Sequence, residues 1–438
     1  MTSDKKIDNT FQNKAKTLIP GLSQLLSKRP DMFNQDVWPT FFSKAKGCYI
    51  WDMQGTRFLD MSISGIGANI LGYAEPAVDN KVIETIQNGV SSSLNCPEDV
   101  LLAEKLTALH PWANQVRYAR CGGEAMAVAV RIARAATKKD KIAFCGYHGW
   151  HDWYLAANVS SDENLDEHLI AGLSPAGVPK ALAGTAIPFS YNDIDSFKKV
   201  VSEHGAELGA IVMEPTRNIA PDSAYWREIE AIAKELDIPL IIDEISMGFR
   251  LNCGGSHLKL GINPDIAVFS KALANGYAMA AVIGKDKWMD AAQTSFISST
   301  MWTERVGPTA ALANIEFYQE HQVEKHLAEI GQSIKAGWQS LAEKHELKIH
   351  ISGIDPLCHF SFECDDFLTI KAYFIELMLK QGVLATNMFY AMFAHKKEHV
   401  EQYLEAVDYA FAAIKHALKE PRVLQHITPT TSGFKRLN

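Results

Sequence analysis

Two apolar runs, 238-IPLIID-243 and 264-PDIAVF-269, decide how this chain folds. Both are short and continuously apolar rather than alternating, which is typical of strands that are buried on both faces of a sheet. The first run ends in Asp243, and the second is followed by Ser270 and Lys271, about one strand-helix-strand unit further along. We therefore predict two neighbouring parallel strands that bring a carboxylate and an amine to the same edge of the sheet.

The same alternation of short apolar runs and helical stretches extends through the middle of the chain. The predicted strands are Val116–Ala119, Ile142–Cys145, Ala210–Met213, Leu240–Ile242 and Ile266–Phe269. The amphipathic helices predicted between them include Glu124–Ala136 and Tyr225–Glu235. This pattern predicts an α/β fold, with a mainly parallel sheet flanked by helices.

The two ends of the chain have a different pattern. Near the N-terminus, CYIWDMQGTRFLDM places Gln54-Gly55 between two apolar-rich runs, which predicts a hairpin turn. After about residue 310 we predict longer helices, a strand at CHFSF and a final amphipathic helix: Pro308–Gln322, Val323–His345 and Glu398–Leu418. We therefore expect an N-terminal segment (1–70) that joins a small domain, a large α/β domain (71–315) and a smaller C-terminal α+β domain (316–438).

Composition and charge narrow the class of function. The chain has 438 residues, of which 47% are hydrophobic and 21% charged, and its formal net charge is −8. An acidic balance disfavours nucleic acid and anionic membranes as partners, because both require a basic surface. No segment offers the roughly 18 uninterrupted apolar residues of a membrane span. A small-molecule partner is favoured by elimination.

The cysteines and the N-terminal residues bear on the cell compartment. The seven cysteines are odd in number and lack the paired CxxC spacing of zinc sites, so we expect free thiols, a reducing compartment and no metal site. The start, MTSDKKIDNTFQNK, has basic residues but no apolar run behind them, so we expect no secretory signal. These features predict a cytoplasmic protein.

Polar residues also follow the other predicted strands, where ligands bind in open α/β sheets. Gly122 and Gly123 open a helix, and backbone N–H groups there can approach a phosphate. Tyr147 follows the strand IAFC and could stack on a flat ligand, and Glu214 follows GAIVM. Taken singly, each has an ordinary structural explanation as a helix start, a loop anchor or a cap.

Asp243 and Lys271 also have ordinary explanations when taken alone, as a turn cap and a solvated lysine. The setting of Lys271 between a buried strand and a Gly-containing turn favours a partly desolvated amine that can attack a carbonyl. A phosphate cradle, a stacking ring, a carboxylate and an amine are together the parts that pyridoxal phosphate (PLP) requires.

At this point the sequence resembles the class III, fold type I PLP-dependent aminotransferases, in the branch that contains glutamate-1-semialdehyde aminomutase. The resemblance covers about residues 38–415. It is carried by IVMEP, LIIDEISMGFR and DIAVFSKALANGY in this order and spacing, and is supported by CGGEAMAVAVRIARA, GYHGWHD and SPAGVP. It implies a fold type I transferase whose large domain binds PLP.

The resemblance assigns roles to the residues already singled out. Lys271 would be the Schiff-base lysine, which also moves the substrate proton. Asp243 would pair with the pyridine nitrogen, and Glu214 would lie near the polar edge of the ring. Gly122 and Gly123 would cradle the phosphate, and Tyr147 would stack on the ring.

The resemblance also implies an obligate homodimer with shared active sites. In the family, a Thr before an Asn-Pro helix start reaches the phosphate held by the partner subunit. Here the stretch reads SSTMWTERVGPTAA, with Gly307-Pro308 in that place. Counting back favours Thr303 for this role and leaves Thr300 in reserve.

Several departures from the family bear on the phosphate site and the reaction. The usual Ser-Gly-Thr/Ser-Glu becomes Cys121-Gly122-Gly123-Glu124, which removes two hydroxyls, and Met247 stands where a Thr is usual. The aminomutase has a Glu after GVYLAPS that binds an amino group, whereas this chain reads GVLATNMFYAMF, with Tyr390 or a neighbour there.

We therefore expect a two-substrate aminotransferase that works by a ping-pong mechanism through pyridoxamine phosphate. Intramolecular transfer of the glutamate-1-semialdehyde aminomutase type is the alternative. Lys28, Arg29 and Arg305 are the candidates for binding a substrate carboxylate. The sequence leaves open which of them does so, and which donor and acceptor the enzyme uses.

Overall fold

The computed structural model describes residues 10–159, 174–216, 218 and 222–431. Within these residues the chain divides into two compact units. One unit comprises residues 76–324, and the other combines the residues up to 75 with those from 325 onward.

The secondary structure of the described residues is numbered here in chain order. The strands are β1 Phe42–Lys46, β2 Tyr49–Asp52, β3 Arg57–Met61, β4 Gln115–Ala119, β5 Lys141–Cys145, β6 Ala186–Pro188, β7 Leu208–Met213, β8 Leu240–Asp243, β9 Ile266–Phe269, β10 Ala280–Gly284, β11 Ile349–Ile354, β12 Leu357–Phe362, β13 Val383–Ala385 and β14 Met388–Tyr390. The helices are α1 Thr10–Leu18, α2 Ser64–Gly67, α3 Pro76–Gln87, α4 Pro97–Leu109, α5 Gly122–Thr137, α6 Asp152–Leu155, α7 Ile194–His204, α8 Ser223–Glu235, α9 His257–Leu260, α10 Asp286–Met289, α11 Val306–His321, α12 Val323–Lys344, α13 Phe367–Lys380 and α14 Lys397–Lys419.

A seven-stranded sheet with the order β4-β10-β9-β8-β7-β5-β6 forms the centre of the unit made by residues 76–324. The strands from β9 to β6 are parallel, whereas β10 is antiparallel to both of its neighbours. The predicted mainly parallel sheet is confirmed. The predicted pairing of the two strands that decide the fold is also confirmed, since Asp243 of β8 lies opposite Val268 of β9.

Burial explains why these strands are continuously apolar. Every residue of β7, β8, β9 and β10 is buried. Helix α5 covers one face with small side chains, among them Ala125, Ala129 and Ala133, which are fully buried. Small residues let the helix approach the sheet closely, and each buried Ile or Val of the strands contributes about 1.5–3 kcal/mol.

The other unit contains two small sheets. The first has the order β1-β2-β3-β13, and β2 and β3 form the predicted antiparallel hairpin. Gly55 of the turn has a φ of 79°, and Asp52 Oδ1 accepts hydrogen bonds from the backbone N–H groups of Gln54 and Thr56. The second sheet has the order β11-β12-β14, and its β12 contains the predicted strand CHFSF.

Three general features of the described residues bear on function. None of their helices is both long enough and apolar enough to cross a membrane. Within the same residues, no group of three or more His, Cys, Asp or Glu side chains is arranged to hold a metal ion. All seven cysteines are free thiols, as the sequence predicts.

Candidate active site

Asp243 is the last residue of β8, and its side chain is buried at the edge of the sheet with the residue 3% exposed. Its Oδ1 accepts a hydrogen bond of 3.0 Å from the backbone N–H of Ile245. Its Oδ2 lies 2.8 Å from Nδ1 of His148. Burial raises the pKa of Asp243, and the contact with His148 opposes that rise.

His148 is a site residue that the sequence analysis did not assign, although it lies in the motif GYHGWHD. Its Nε2 faces the backbone carbonyl oxygen of Cys145 at 3.0 Å. A carbonyl oxygen only accepts hydrogen bonds, so Nε2 carries a proton. The 2.8 Å contact between Nδ1 and Asp243 therefore requires one more proton, which the imidazole and the carboxyl share.

Lys271 follows β9 in a left-handed backbone conformation, with a φ of 47°. Such a conformation costs a residue with a Cβ atom about 1–3 kcal/mol and is found where the surrounding structure imposes it. Asn314 of α11 supplies that support, because its Nδ2 donates to the carbonyl oxygens of Ala272 and Leu273 at 2.9 Å each. The Nζ of Lys271 donates a 2.8 Å hydrogen bond to Oγ of Ser246.

The loop that carries Ser246 is anchored by a buried polar network around Glu244. Glu244 Oε1 accepts from the backbone N–H and the Nδ1 of His257 at 2.8 and 2.7 Å, and its Oε2 accepts from Ser256 Oγ at 2.7 Å. Trp112 Nε1 donates to His257 Nε2 at 3.0 Å, so the proton of His257 is on Nδ1. Burial raises the pKa of Glu244, but these hydrogen bonds more than offset it, and the pKa is lowered overall.

Gly122 and Gly123 form the first turn of α5, a helix of 16 residues. A Cβ atom on Gly122 would lie 2.9 Å from Cδ1 of Ile245, so the backbone approaches that side chain closely. Glu124 Oε2 accepts from the backbone N–H groups of Arg120 at 3.1 Å and Cys121 at 3.3 Å. The N–H groups that follow lie at the positive end of the helix dipole, which favours an anion.

Tyr147 and Glu214 lie beyond the ends of β5 and β7, which are neighbouring strands. Glu214 is 2% exposed, and its Oε2 accepts a 3.1 Å hydrogen bond from the backbone N–H of Tyr147. Gly146 has a φ of 110°, and a Cβ atom there would lie 2.8 Å from Glu214 Oε2. Glycine at position 146 therefore allows the carboxylate to hold the backbone of Tyr147 in place.

Thr300 and Thr303 lie at the two ends of a short 3-10 helix, and both are exposed. Thr303 Oγ1 donates a 2.9 Å hydrogen bond to the carbonyl oxygen of Thr300. The adjacent Trp302 donates from Nε1 to Glu124 Oε2 at 3.3 Å. This segment therefore borders the start of α5 in the same chain.

The basic candidates for binding a substrate carboxylate already have acidic partners or lie in the other unit. Arg305 makes two hydrogen bonds with the carboxylate of Glu98, of 3.1 and 2.7 Å. Arg29 pairs with Asp31 at 2.9 Å. Lys28 belongs to the same unit as Arg29, which also contains Tyr390 at the end of β14. Arg305 could bind a substrate only by leaving Glu98.

The residues at the carboxyl ends of the strands fit PLP chemically. Gly122 and Gly123 offer backbone N–H groups to a phosphate, Asp243 offers a buried carboxylate to a pyridine nitrogen, and Lys271 offers an amine to an aldehyde. One buried polar atom in this region, Nε2 of His151, also has no hydrogen-bond partner among the described residues. An unsatisfied buried nitrogen beside a phosphate cradle is consistent with a ligand that completes the site.

Comparison with known proteins points to the same chemistry. A sequence model of the family described as Aminotransferase class-III matches residues 32–411. The chain is 30% identical to the 2'-deamino-2'-hydroxyneamine transaminase of Streptomyces kanamyceticus, over 86% of this chain and 91% of that protein. It is 35% identical to the glutamate-1-semialdehyde 2,1-aminomutase of Desulfovibrio desulfuricans, over 63% of this chain and 65% of that protein.

A solved structure supports the fold. The PLP form of the FumI protein of Sphingopyxis sp. MTA144 superposes with a TM-score of 0.86 at 23% sequence identity. The match covers 97% of this chain and 99% of that one.

Proposed function

This chain belongs to the class III aminotransferase family, and on that premise we propose that it moves an amino group from a small-molecule donor to an aldehyde or keto acceptor, with PLP as its cofactor. The observation that carries this proposal is the position of Asp243 and Lys271 at the ends of the paired parallel strands β8 and β9. A buried carboxylate and an amine on adjacent strands can contact the two ends of one flat ring.

Asp243 would hold the pyridine nitrogen in its protonated form. When bound, PLP withdraws electrons from the carbon that bears the amine, and this makes loss of a proton from that carbon possible. The negative charge on Asp243 strengthens this effect, and the proton that it shares with His148 fixes the orientation of its Oδ2. The hydrogen bond from Ile245 fixes Oδ1 in the same way.

The Nζ of Lys271 would take the proton from the substrate carbon that bears the amine. It would return that proton to the carbon on the other side of the amine nitrogen. The hydrogen bond to Ser246 holds Nζ in place before the substrate arrives. The turn that carries Lys271 is fixed by Asn314, so the amine starts from a defined position. Gly122, Gly123, Tyr147 and Glu214 would bind and orient the rest of the cofactor.

We also propose a cytoplasmic homodimer in which Thr303 of one subunit completes the phosphate site of the other. Thr303 is exposed in the single chain, so a second subunit can reach its side chain. Its hydroxyl can donate to a phosphate oxygen once it releases the carbonyl of Thr300. A dimer structure with PLP that places Thr303 beyond hydrogen-bond distance of every phosphate would remove it from the site, and Thr300 would be tested next.

The test of function separates the two halves of the reaction. The purified PLP enzyme is mixed with one amino donor and no acceptor, across a panel of amino acids and amines. We expect one equivalent of carbonyl product per active site, with loss of the yellow colour of the PLP enzyme. An acceptor added afterwards should take up the amino group and restore the colour. The same donor with the Lys271→Ala variant is the control. A wild-type enzyme that releases no carbonyl product from any donor would overturn the proposal.

Intramolecular transfer is a second candidate because the relative from Desulfovibrio desulfuricans is named as an aminomutase. The stretch from Asn387 to Ala391 contains no Glu to hold the second amino group of a diamine. We therefore expect the diamine to dissociate and transfer between two molecules to prevail. Incubation of the amine form of the cofactor enzyme with glutamate-1-semialdehyde distinguishes the two reactions. Efficient multiple turnover to 5-aminolevulinate without an amino donor would favour the aminomutase.

A further inference from the structure

The imidazole of His151 occupies the space beside Gly123 that a side chain would otherwise fill. A Cβ atom built on Gly123 would lie 3.1 Å from Cδ2 and 3.3 Å from Nε2 of His151. The loop reaches the helix this closely because a Cβ atom on Gly149, at a φ of 103°, would lie only 3.2 Å from the Cα of Gly123. The ring of His151 therefore lies against the first turn of α5.

The ring of His151 packs against the neighbouring Trp150, and one of its nitrogens is left unsatisfied. Trp150 packs on His151 with ring centroids 4.6 Å apart at an angle of 32°. His151 Nε2 is buried and makes no hydrogen bond to any described residue. A buried nitrogen without a hydrogen-bond partner lowers the stability of the fold by about 1–3 kcal/mol. A ligand that forms a hydrogen bond with Nε2 would remove this loss.

The first turn of α5 lacks the side-chain donors that its relatives carry. The resemblance implies hydroxyl-bearing residues at positions 121 and 123, whereas this chain has Cys121 and Gly123 there. Glu124 further occupies the backbone N–H groups of Arg120 and Cys121. A phosphate at this turn would therefore meet backbone N–H groups, beginning with those of the two glycines. Nε2 of His151, which has no hydrogen-bond partner among the described residues, lies beside Gly123.

We propose that His151 binds the phosphate of PLP, donating a hydrogen bond from Nε2 in place of the hydroxyl that relatives carry at position 123. This inference rests on the proposed function, because it concerns the cofactor of that same site. Burial lowers the pKa of the His151 imidazole, so near neutral pH the ring is uncharged and carries one proton. With that proton on Nε2, the ring is a donor at the point where the cradle lacks one.

The experiment compares PLP with pyridoxal, which is the same ring without the phosphate. Equilibrium dialysis against the apoenzyme gives both dissociation constants for the wild type, His151→Ala and His151→Gln. We expect His151→Ala to weaken PLP binding roughly ten- to a hundredfold, the range of one hydrogen bond to a charged group, and to leave pyridoxal binding unchanged. His151→Gln keeps an N–H donor and should recover most of the loss. His416→Ala, an exposed histidine on α14, is the matched control.

A swap of side chains tests whether His151 replaces the missing hydroxyl. Gly123→Ser alone should weaken PLP binding, because its Cβ atom crowds the imidazole. In the double variant Gly123→Ser with His151→Ala, removal of the imidazole leaves room for the Ser side chain and its hydroxyl. This variant should bind PLP at least tenfold more tightly than His151→Ala alone. A double variant that binds no better than His151→Ala would count against the replacement.

Two further outcomes would overturn the inference. One is a His151→Ala variant that binds PLP as tightly as the wild type. The other is an equal loss of affinity for PLP and pyridoxal, which would show a structural role for the ring. A wild-type protein that binds neither compound would instead overturn the proposed function, and this inference with it.

Discussion

Asn314 connects the stability of the fold to the position of the reactive amine, and replacing it with Leu tests that connection. The Asn314 side chain is fully buried and donates two hydrogen bonds of 2.9 Å, to the carbonyl oxygens of Ala272 and Leu273. A Leu, which has the same branched shape but no polar atoms, removes both donors and leaves two buried carbonyls without them. At about 1–3 kcal/mol for each carbonyl, the free energy of unfolding should fall by about 2–6 kcal/mol.

The same substitution should also affect cofactor binding, because the turn holds Lys271 at a φ of 47°. Without Asn314 that residue can relax out of its left-handed conformation, and we expect PLP to bind at least about tenfold more weakly. Urea denaturation of the apoenzyme and PLP titration measure the two effects. Asn263→Leu is the control, because Asn263 is exposed and its side chain makes one hydrogen bond, to Glu230. A loss of stability below about 1 kcal/mol for Asn314→Leu, no larger than that of the control, would show that Asn314 does not support this turn.

Three further predictions follow from single buried or strained groups. Burial lowers the pKa of Lys371 from 10.5 to about 8, so the folded protein releases this proton before the unfolded chain does. Wild-type stability should therefore rise between pH 8 and 10.5, by up to about 3 kcal/mol relative to Lys371→Met, and parallel pH curves from denaturant titrations would contradict this. Lys271→Gly should be about 1 kcal/mol more stable than Lys271→Ala in apoenzyme unfolding, because glycine adopts a φ of 47° without strain; the reverse order would be inconsistent with that backbone. Asp243→Asn should slow the single-turnover reaction with an amino donor by about 10²–10³-fold, since a charge pair near 4 Å at an effective dielectric of about 20 is worth about 4 kcal/mol; a rate within a few-fold of the wild type would place this role elsewhere.

The strands of the central sheet could be predicted because each one is recognisable from its own residues. Strands buried on both faces must be apolar throughout, so the runs that end at Asp243 and Phe269 are visible in the sequence. Parallel neighbours share an edge, which brings the following polar residues together. Strand β10 was not predicted, because Ala280–Gly284 is rich in small residues and has no strong β-forming pattern.

The finer contacts of the site could not be read from the sequence, because they join residues from separate elements. His148 follows β5 and meets Asp243 of β8, although β7 lies between these strands in the sheet. Asn314 is one of several polar residues in α11, and nothing in its neighbours indicates a bond to the turn after Lys271. The start of α5 differed as well: the helix begins at Gly122 rather than Glu124, since glycines can occupy a first turn that propensity alone disfavours.

The lysine that holds the cofactor can be identified directly. The yellow PLP enzyme is reduced with borohydride, digested and mapped by mass spectrometry. We expect one phosphopyridoxyl group per chain, located on Lys271 at the end of β9. Attachment to any other lysine, or the absence of a covalent adduct in the PLP-loaded protein, would contradict it.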